Sequence, residues 1–131
     1  MRSETIKLLK NLIDTTNVEL NSHDYTGLTG LLSNDYRDFL NQYNGGEGNI
    51  GENTYLHLWK FEDIEELNDD YGSADFLTDI ILIGSDGGDT AYGINSKGKY
   101  IEVPFIGMDD DEVNVIAGDF DGFIEYLNNK Q

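Results

Sequence analysis

The chain has 131 residues, 38% of them hydrophobic, and no cysteine. That is one domain's worth of sequence, long enough to bury a core unaided, and it excludes a disulfide scaffold, a thiolate zinc site and a cysteine nucleophile. Eight Lys and Arg against 26 Asp and Glu give a net charge of −18, which repels phosphate backbones and anionic lipid and so argues against direct binding of nucleic acid or membrane.

The first predicted element is a helix opened by Ser3 as N-cap. Ile6, Leu9, Leu12 and Ile13 recur in it at helical spacing. The opening Met1-Arg2-Ser3-Glu4 leads into this amphipathic pattern and not into a signal h-region. No run approaches the roughly 18 apolar residues of a membrane span, so a soluble, cytoplasmic protein is expected. Residues 17–30 are polar, contain Gly27 and Gly30, and read as a loop that can hold a short strand or turn.

A second helix starts near Ser33, with Tyr36, Phe39, Leu40 and Tyr43 as its apolar stripe. Asn44-Gly45-Gly46 stops it, glycine taking the left-handed cap, and Gly48 and Gly51 extend the loop that follows. Tyr55-Leu56-His57-Leu58-Trp59 is rich in β-formers and reads as a strand. In that strand His57 points away from Leu56 and Leu58. A short acidic helix follows over residues 61–67.

The apolar run Ile80-Ile81-Leu82-Ile83 predicts a central strand covered on both faces. A glycine-rich turn over residues 84–88 leads to a strand over 90–94. A hairpin turn at Asn95-Ser96-Lys97-Gly98 leads to a return strand over 99–105, with Pro104 near its end. Residues 113–116 fit neither helix nor strand clearly. A last helix starts at Asp119 as cap and carries Phe120, Phe123, Ile124 and Leu127 on one face. Strands joined by tight turns imply an α+β fold: an antiparallel β-sheet meander packed by N-terminal and C-terminal helices, in one domain over residues 1–131.

Few motifs carry chemistry. Gly93 to Tyr100 has the glycine and lysine spacing of a phosphate-binding loop, but Tyr100 replaces the magnesium-binding hydroxyl and a strand follows it. Residues 117–128 mimic a calcium loop yet begin with Ala117 and end with Asn128. The acids at 109–112 are not preorganised for a cation. Ser85 lacks the spacing of a nucleophile elbow. The only histidines, His23 and His57, are not placed beside it by any motif. No catalytic, metal-binding or cofactor-binding residue is assigned, and the chain is not read as an enzyme.

Three segments carry a resemblance. They are Asp35-Tyr36-Arg37-Asp38-Phe39-Leu40 with Tyr43-Asn44-Gly45-Gly46, then residues 81–89 with Ala91-Tyr92-Gly93-Ile94, then Ile116-Ala117 with Phe120-Asp121-Gly122-Phe123-Ile124. In this order the chain resembles the SUKH superfamily over roughly residues 30–128. That group includes the fungal Smi/Knr-type cell-wall regulators and bacterial immunity proteins of polymorphic toxin systems. The Leu-Pro step that often precedes the Tyr-x-x-Phe helix is replaced by Ser33-Asn34. The resemblance implies an α+β fold and a non-enzymatic role: binding and neutralising a cognate toxin domain, often a nuclease. The alternative it implies is a regulatory protein-binding module like the fungal members.

Charge points to where a partner would bind. Residues 1–61 carry five positive and eight negative groups, whereas residues 62–129 carry two positive and 18 negative. An acidic face suits a basic protein partner and speeds encounter with it. The expected contacts are Asp69, Asp70, Asp86, Asp89, Asp109, Asp110, Asp111 and Glu112, with Trp59 or Tyr71 as aromatic anchors.

Overall fold

A computed structural model describes residues 2–13, 32–52 and 54–130. The reading of residues 17–30 as a loop lies outside them. In chain order the elements are α1 (Ser3–Leu8), α2 (Lys10–Ile13), α3 (Asn34–Tyr43), β1 (Gly46–Ile50), β2 (Thr54–Leu58), α4 (Phe61–Tyr71), α5 (Ser73–Phe76), β3 (Ile80–Ser85), β4 (Thr90–Asn95), β5 (Tyr100–Pro104), β6 (Asn114–Ala117) and α6 (Phe120–Asn129). A 3-10 turn, Asp110–Glu112, lies between β5 and β6. The six strands form one sheet in sequence order, every neighbour antiparallel. This is the expected α+β meander, with two strands more than the residue pattern shows clearly.

The first of these is β1. Residues 46–51 carry three glycines and read as loop, yet Gly46–Ile50 pairs with β2 in register, Gly48 opposite Leu56. Helix α2 packs on β1, and the Asn11 amide donates to the Asn49 carbonyl at 3.2 Å. Glycine at 48 admits that close approach, since a Cβ there would lie 2.9 Å from the Asn11 Cβ. The second is β6, which fills the ambiguous 113–116 stretch.

Capping also differs from expectation. Arg2, not Ser3, precedes the first helical residue. Ile6 is 41% exposed and outside the core, whereas Leu9 and Leu12 are fully buried. Ser33 sits at the start of α3 but donates its hydroxyl to Asp35 Oδ1 and caps no backbone N–H. At the other end of α3 the left-handed residue is Asn44, with φ 42°. Its side chain explains the choice over glycine. The Asn44 carbonyl oxygen accepts from the Phe61 N–H at 2.8 Å and its amide donates to Glu62 at 2.8 Å, so the residue that ends α3 also holds the start of α4.

The α3 and α6 side of the sheet is an aromatic layer. Phe39 and Phe120 lie 4.8 Å apart, Tyr100 and Phe123 5.0 Å, and Tyr92 and Phe123 5.3 Å. Tyr92, Ile94 and Tyr100 face these helices, and the alternating positions Leu82, Ile101 and Val103 are as deeply buried. The strand 80–85 is therefore covered on both faces, as its unbroken apolar run predicts.

Three tyrosines in this layer differ in what their hydroxyls meet, although burial pushes the ionisation of all three upward. Tyr100 donates to Asp35 at 3.0 Å. The hydroxyls of Tyr36 and Tyr92 are buried and meet no partner among the described residues. A buried unpaired hydroxyl costs about 1–3 kcal/mol. Tyr36→Phe and Tyr92→Phe are accordingly expected to raise the urea midpoint, each by the equivalent of about 1 kcal/mol, and Tyr100→Phe to lower it. A fall in all three would contradict this assignment.

Candidate functional site

Three of the predicted contact residues, Asp69, Asp70 and Tyr71, lie in the last turn of helix α4. The helix opens with Glu62 and Asp63 in its first turn, a placement its dipole favours, and closes at Gly72, which takes a left-handed φ of 66°. Ending there leaves Tyr71 as the last helical residue, 45% exposed. Its ring stacks on Trp59 at 5.9 Å with the planes 14° apart, and meets Phe105 at 4.6 Å. The chain then turns into α5, whose Phe76 is 54% exposed, its ring 3.4 Å from where a Cβ on Gly72 would stand. Asp69 and Asp70 precede Tyr71 on α4 and are exposed.

Phe105 brings in the other segments. Its N–H donates to the Asp89 carbonyl at 2.9 Å, which ties the connection after β5 to the β3–β4 turn. The Asp89 side chain is exposed. Asp86 instead builds that turn, because its Oδ1 accepts from the Gly88 N–H at 2.8 Å and the Thr90 N–H at 3.2 Å.

Beyond Phe105 comes Ile106, 87% exposed, while Met108 is buried. Asp109 then caps the 3-10 turn, accepting from the Asp111 N–H at 2.8 Å. Asp110 accepts from the Thr78 N–H at 2.8 Å and its hydroxyl at 2.7 Å. The hydroxyl bond, then the backbone bond, holds its carboxyl below the ordinary range. Asp111 and Glu112 project into solvent.

The structure thus brings Tyr71 and the Asp89 backbone against Phe105, with residues 109–112 following along the same connection, whereas Asp69 lines the hollow beside Asn68 between α4, α5 and β3. It places Trp59 differently from a surface anchor. Trp59 is 4% exposed and forms the floor beneath Tyr71. Phe76, Phe105 and Ile106 escape a reading of the sequence, because single apolar residues in polar segments carry no periodicity.

The remaining chemistry stays structural. Residues 93–100 form the β4–β5 hairpin, where Asn95 Oδ1 accepts from the Lys97 and Lys99 N–H groups, both at 3.0 Å. Asp119 caps α6, accepting from the Gly122 N–H at 2.7 Å. Among the described residues no three His, Asp or Glu side chains converge as a metal site. No described helix is long and apolar enough to cross a membrane. An open groove of about 410 Å³ beside α5 is lined by Ala74, Leu77, Thr78, Asp79 and Ile80, without a paired nucleophile and base.

Asp35, Gly84 and Phe120 belong to the segments that carry the family resemblance, and all three have scaffold roles. Asp35 joins α3, β5 and α6 through bonds from Ser33, the Tyr100 hydroxyl and the Phe120 N–H. A Cβ on Gly84 would lie 2.3 Å from the His57 carbonyl, so glycine sets the β2–β3 spacing. The family model for the SMI1 / KNR4 family (SUKH-1) matches residues 28–126. The chain belongs to this family. A comparison with curated proteins gives no match. The SUKH-1 match leaves α1 and α2 outside it. Helix α1 is fastened to the matched region by Asp121, which accepts from the Arg2 N–H at 2.9 Å and the Thr5 hydroxyl at 2.6 Å, and α2 by the Asn11 amide on the Asn49 carbonyl at 3.2 Å. Burial works to raise the Asp121 carboxyl, but its own hydrogen bonds and the Arg2 charge outweigh it and hold it below the ordinary range.

Proposed function

We propose that this SUKH-1 protein is a non-enzymatic immunity protein that binds and neutralises a cognate toxin domain of a polymorphic toxin system. It would act in the cytoplasm of the producing cell, through the acidic surface around Tyr71. The observation that carries the reading is charge. Residues 61–96 and 100–129 contain 18 Asp and Glu and no Lys or Arg, so the segments that build this surface have no cation of their own to neutralise it. A basic domain, such as a nuclease that must itself attract phosphate, is the partner such a field favours.

The test is co-expression with the C-terminal domain encoded by the neighbouring gene. Rescue of growth with co-purification supports immunity. A toxic neighbour that is neither bound nor neutralised overturns that pairing and favours the regulatory module. Charge reversal then maps the face. Asp109 and Asp110 hold the 3-10 turn and are poor choices, so the variant is Asp69→Lys, Asp70→Lys, Asp111→Lys and Glu112→Lys combined. Its association rate with the co-purified domain is expected to fall about tenfold and to lose most of its salt dependence, with a smaller change in dissociation. An unchanged rate removes these four residues from the interface.

A further inference from the structure

We infer that Tyr71, Phe76, Phe105 and Ile106 form a preorganised apolar contact patch inside the acidic surface, fitted to a basic protein segment that carries an apolar side chain between lysines or arginines. The inference rests on the protein-binding reading above and specifies its centre.

Scattered exposed hydrophobics are ordinary, and Ile6 and Val115 need no explanation. These four residues are different because separate segments bring them together. Tyr71 and Phe105 are in ring contact at 4.6 Å, Ile106 follows Phe105, and the Phe76 ring lies 3.4 Å from where a Cβ on Gly72, the residue after Tyr71, would stand. Ile106 is held out at 87% exposure between two fixed points: the Phe105 N–H bonded to Asp89, and the buried Met108. The Asp110 bonds to Thr78 fix the same connection to the chain just after α5. Trp59, itself buried, stacks beneath Tyr71. Little ordering is therefore left for binding to impose, which is what a central anchor requires.

The surrounding charge selects the occupant. Asp70 precedes Tyr71, Asp75 precedes Phe76, and Asp109, Asp111 and Glu112 follow Ile106, with no Lys or Arg in these segments. An apolar centre with an acidic rim complements an apolar side chain flanked by cations. A second copy of this chain would set rim against rim at a net charge of −18 each, and an anionic membrane is repelled for the same reason.

Trp59 is the chain's only tryptophan, so its fluorescence reports on the patch. The probes are two synthetic peptides of equal length and equal lysine content, one completed with serine and the other with leucine. The lysine–leucine peptide is expected to bind at least tenfold more tightly, to keep that advantage in high salt and to shift Trp59 emission. Ile106→Ser and, separately, Phe76→Ser are expected to reduce the advantage severalfold with the melting temperature unchanged. Equal binding of the two peptides, or an undiminished advantage in both variants, overturns the inference. So does a dimer in sedimentation equilibrium that Ile106→Ser dissolves. Co-expression separates the two readings. Rescue by wild type and equally by Ile106→Ser with Phe76→Ser keeps immunity and overturns the patch. No rescue by wild type, with the peptide difference intact, overturns that toxin pairing and sustains the patch.

Discussion

Asp35→Ala is expected to lower the stability of the domain by about 4 kcal/mol, read as a fall in melting temperature of about 12 °C for a chain of this size. The carboxylate collects donors from three elements. Ser33 bonds Oδ1 at 2.5 Å and Tyr100 bonds the same oxygen at 3.0 Å, while the Phe120 N–H reaches Oδ2 at 2.6 Å. Hydrogen bonds to a charged acceptor contribute about 1.5–3 kcal/mol each, and deleting the acceptor leaves the partners unpaired. The negative charge also sits at the N-termini of both α3 and α6, where helix dipoles favour it. Asp35→Asn supplies the control. It keeps one carbonyl acceptor but loses the charge and turns an amide toward a donor, so its loss is expected to be about half that of alanine. If alanine and asparagine both melt within a degree or two of wild type, Asp35 is not the joint between α3, β5 and α6.

That joint shows what the sequence makes legible and what it hides. The periodicity of Tyr36, Phe39 and Leu40 predicts α3, and the unbroken run 80–83 predicts a doubly covered strand, because both signals come from burial of neighbouring residues in a fixed geometry. Strand β1 escapes, because its glycines, of which Gly48 admits the close approach of α2, mimic a loop. Asn44 reads as part of a glycine stop, although its two side-chain bonds to α4 are what make it the better cap. The contact patch is legible only in part. Net charge locates the half of the chain that carries it, but Phe76, Phe105 and Ile106 meet through tertiary packing that no spacing encodes. Acids of the same type also divide by role. Asp35, Asp86, Asp109, Asp110 and Asp119 hold turns and helix starts, while Asp111 and Glu112 are open to a partner.

The same limit applies to Asn68, where the second large effect is expected. Strand β2 pairs with β3 only at Ser85 and Gly84, and the Trp59 N–H reaches the Ile83 carbonyl. At Leu82 the amide of Asn68 takes over as a substitute strand. It donates to the Leu82 carbonyl at 2.9 Å and accepts from the Leu82 N–H at 2.8 Å. Its second donor reaches the Ile64 carbonyl at 2.8 Å, and its oxygen also accepts from Ser73 at 2.8 Å. Only an amide supplies donors and acceptors in this arrangement. Asn68→Asp keeps the oxygen that serves Leu82 N–H and Ser73 but aims a second anionic oxygen at two carbonyls, with Glu65 and Asp69 lining the same hollow. The expected loss is about 3–4 kcal/mol at neutral pH. Carbonyls and nearby carboxylates disfavour the ionised form in the fold, so the aspartate's folded pKa lies above its unfolded one. The variant's penalty is therefore full above the folded pKa and shrinks as pH falls through it and a proton restores one donor. Urea midpoints of wild type and Asn68→Asp should converge on acidification, whereas Asn68→Ala should stay a constant distance below wild type. Parallel curves for both variants would mean that the amide's donors are not what closes the edge of β3.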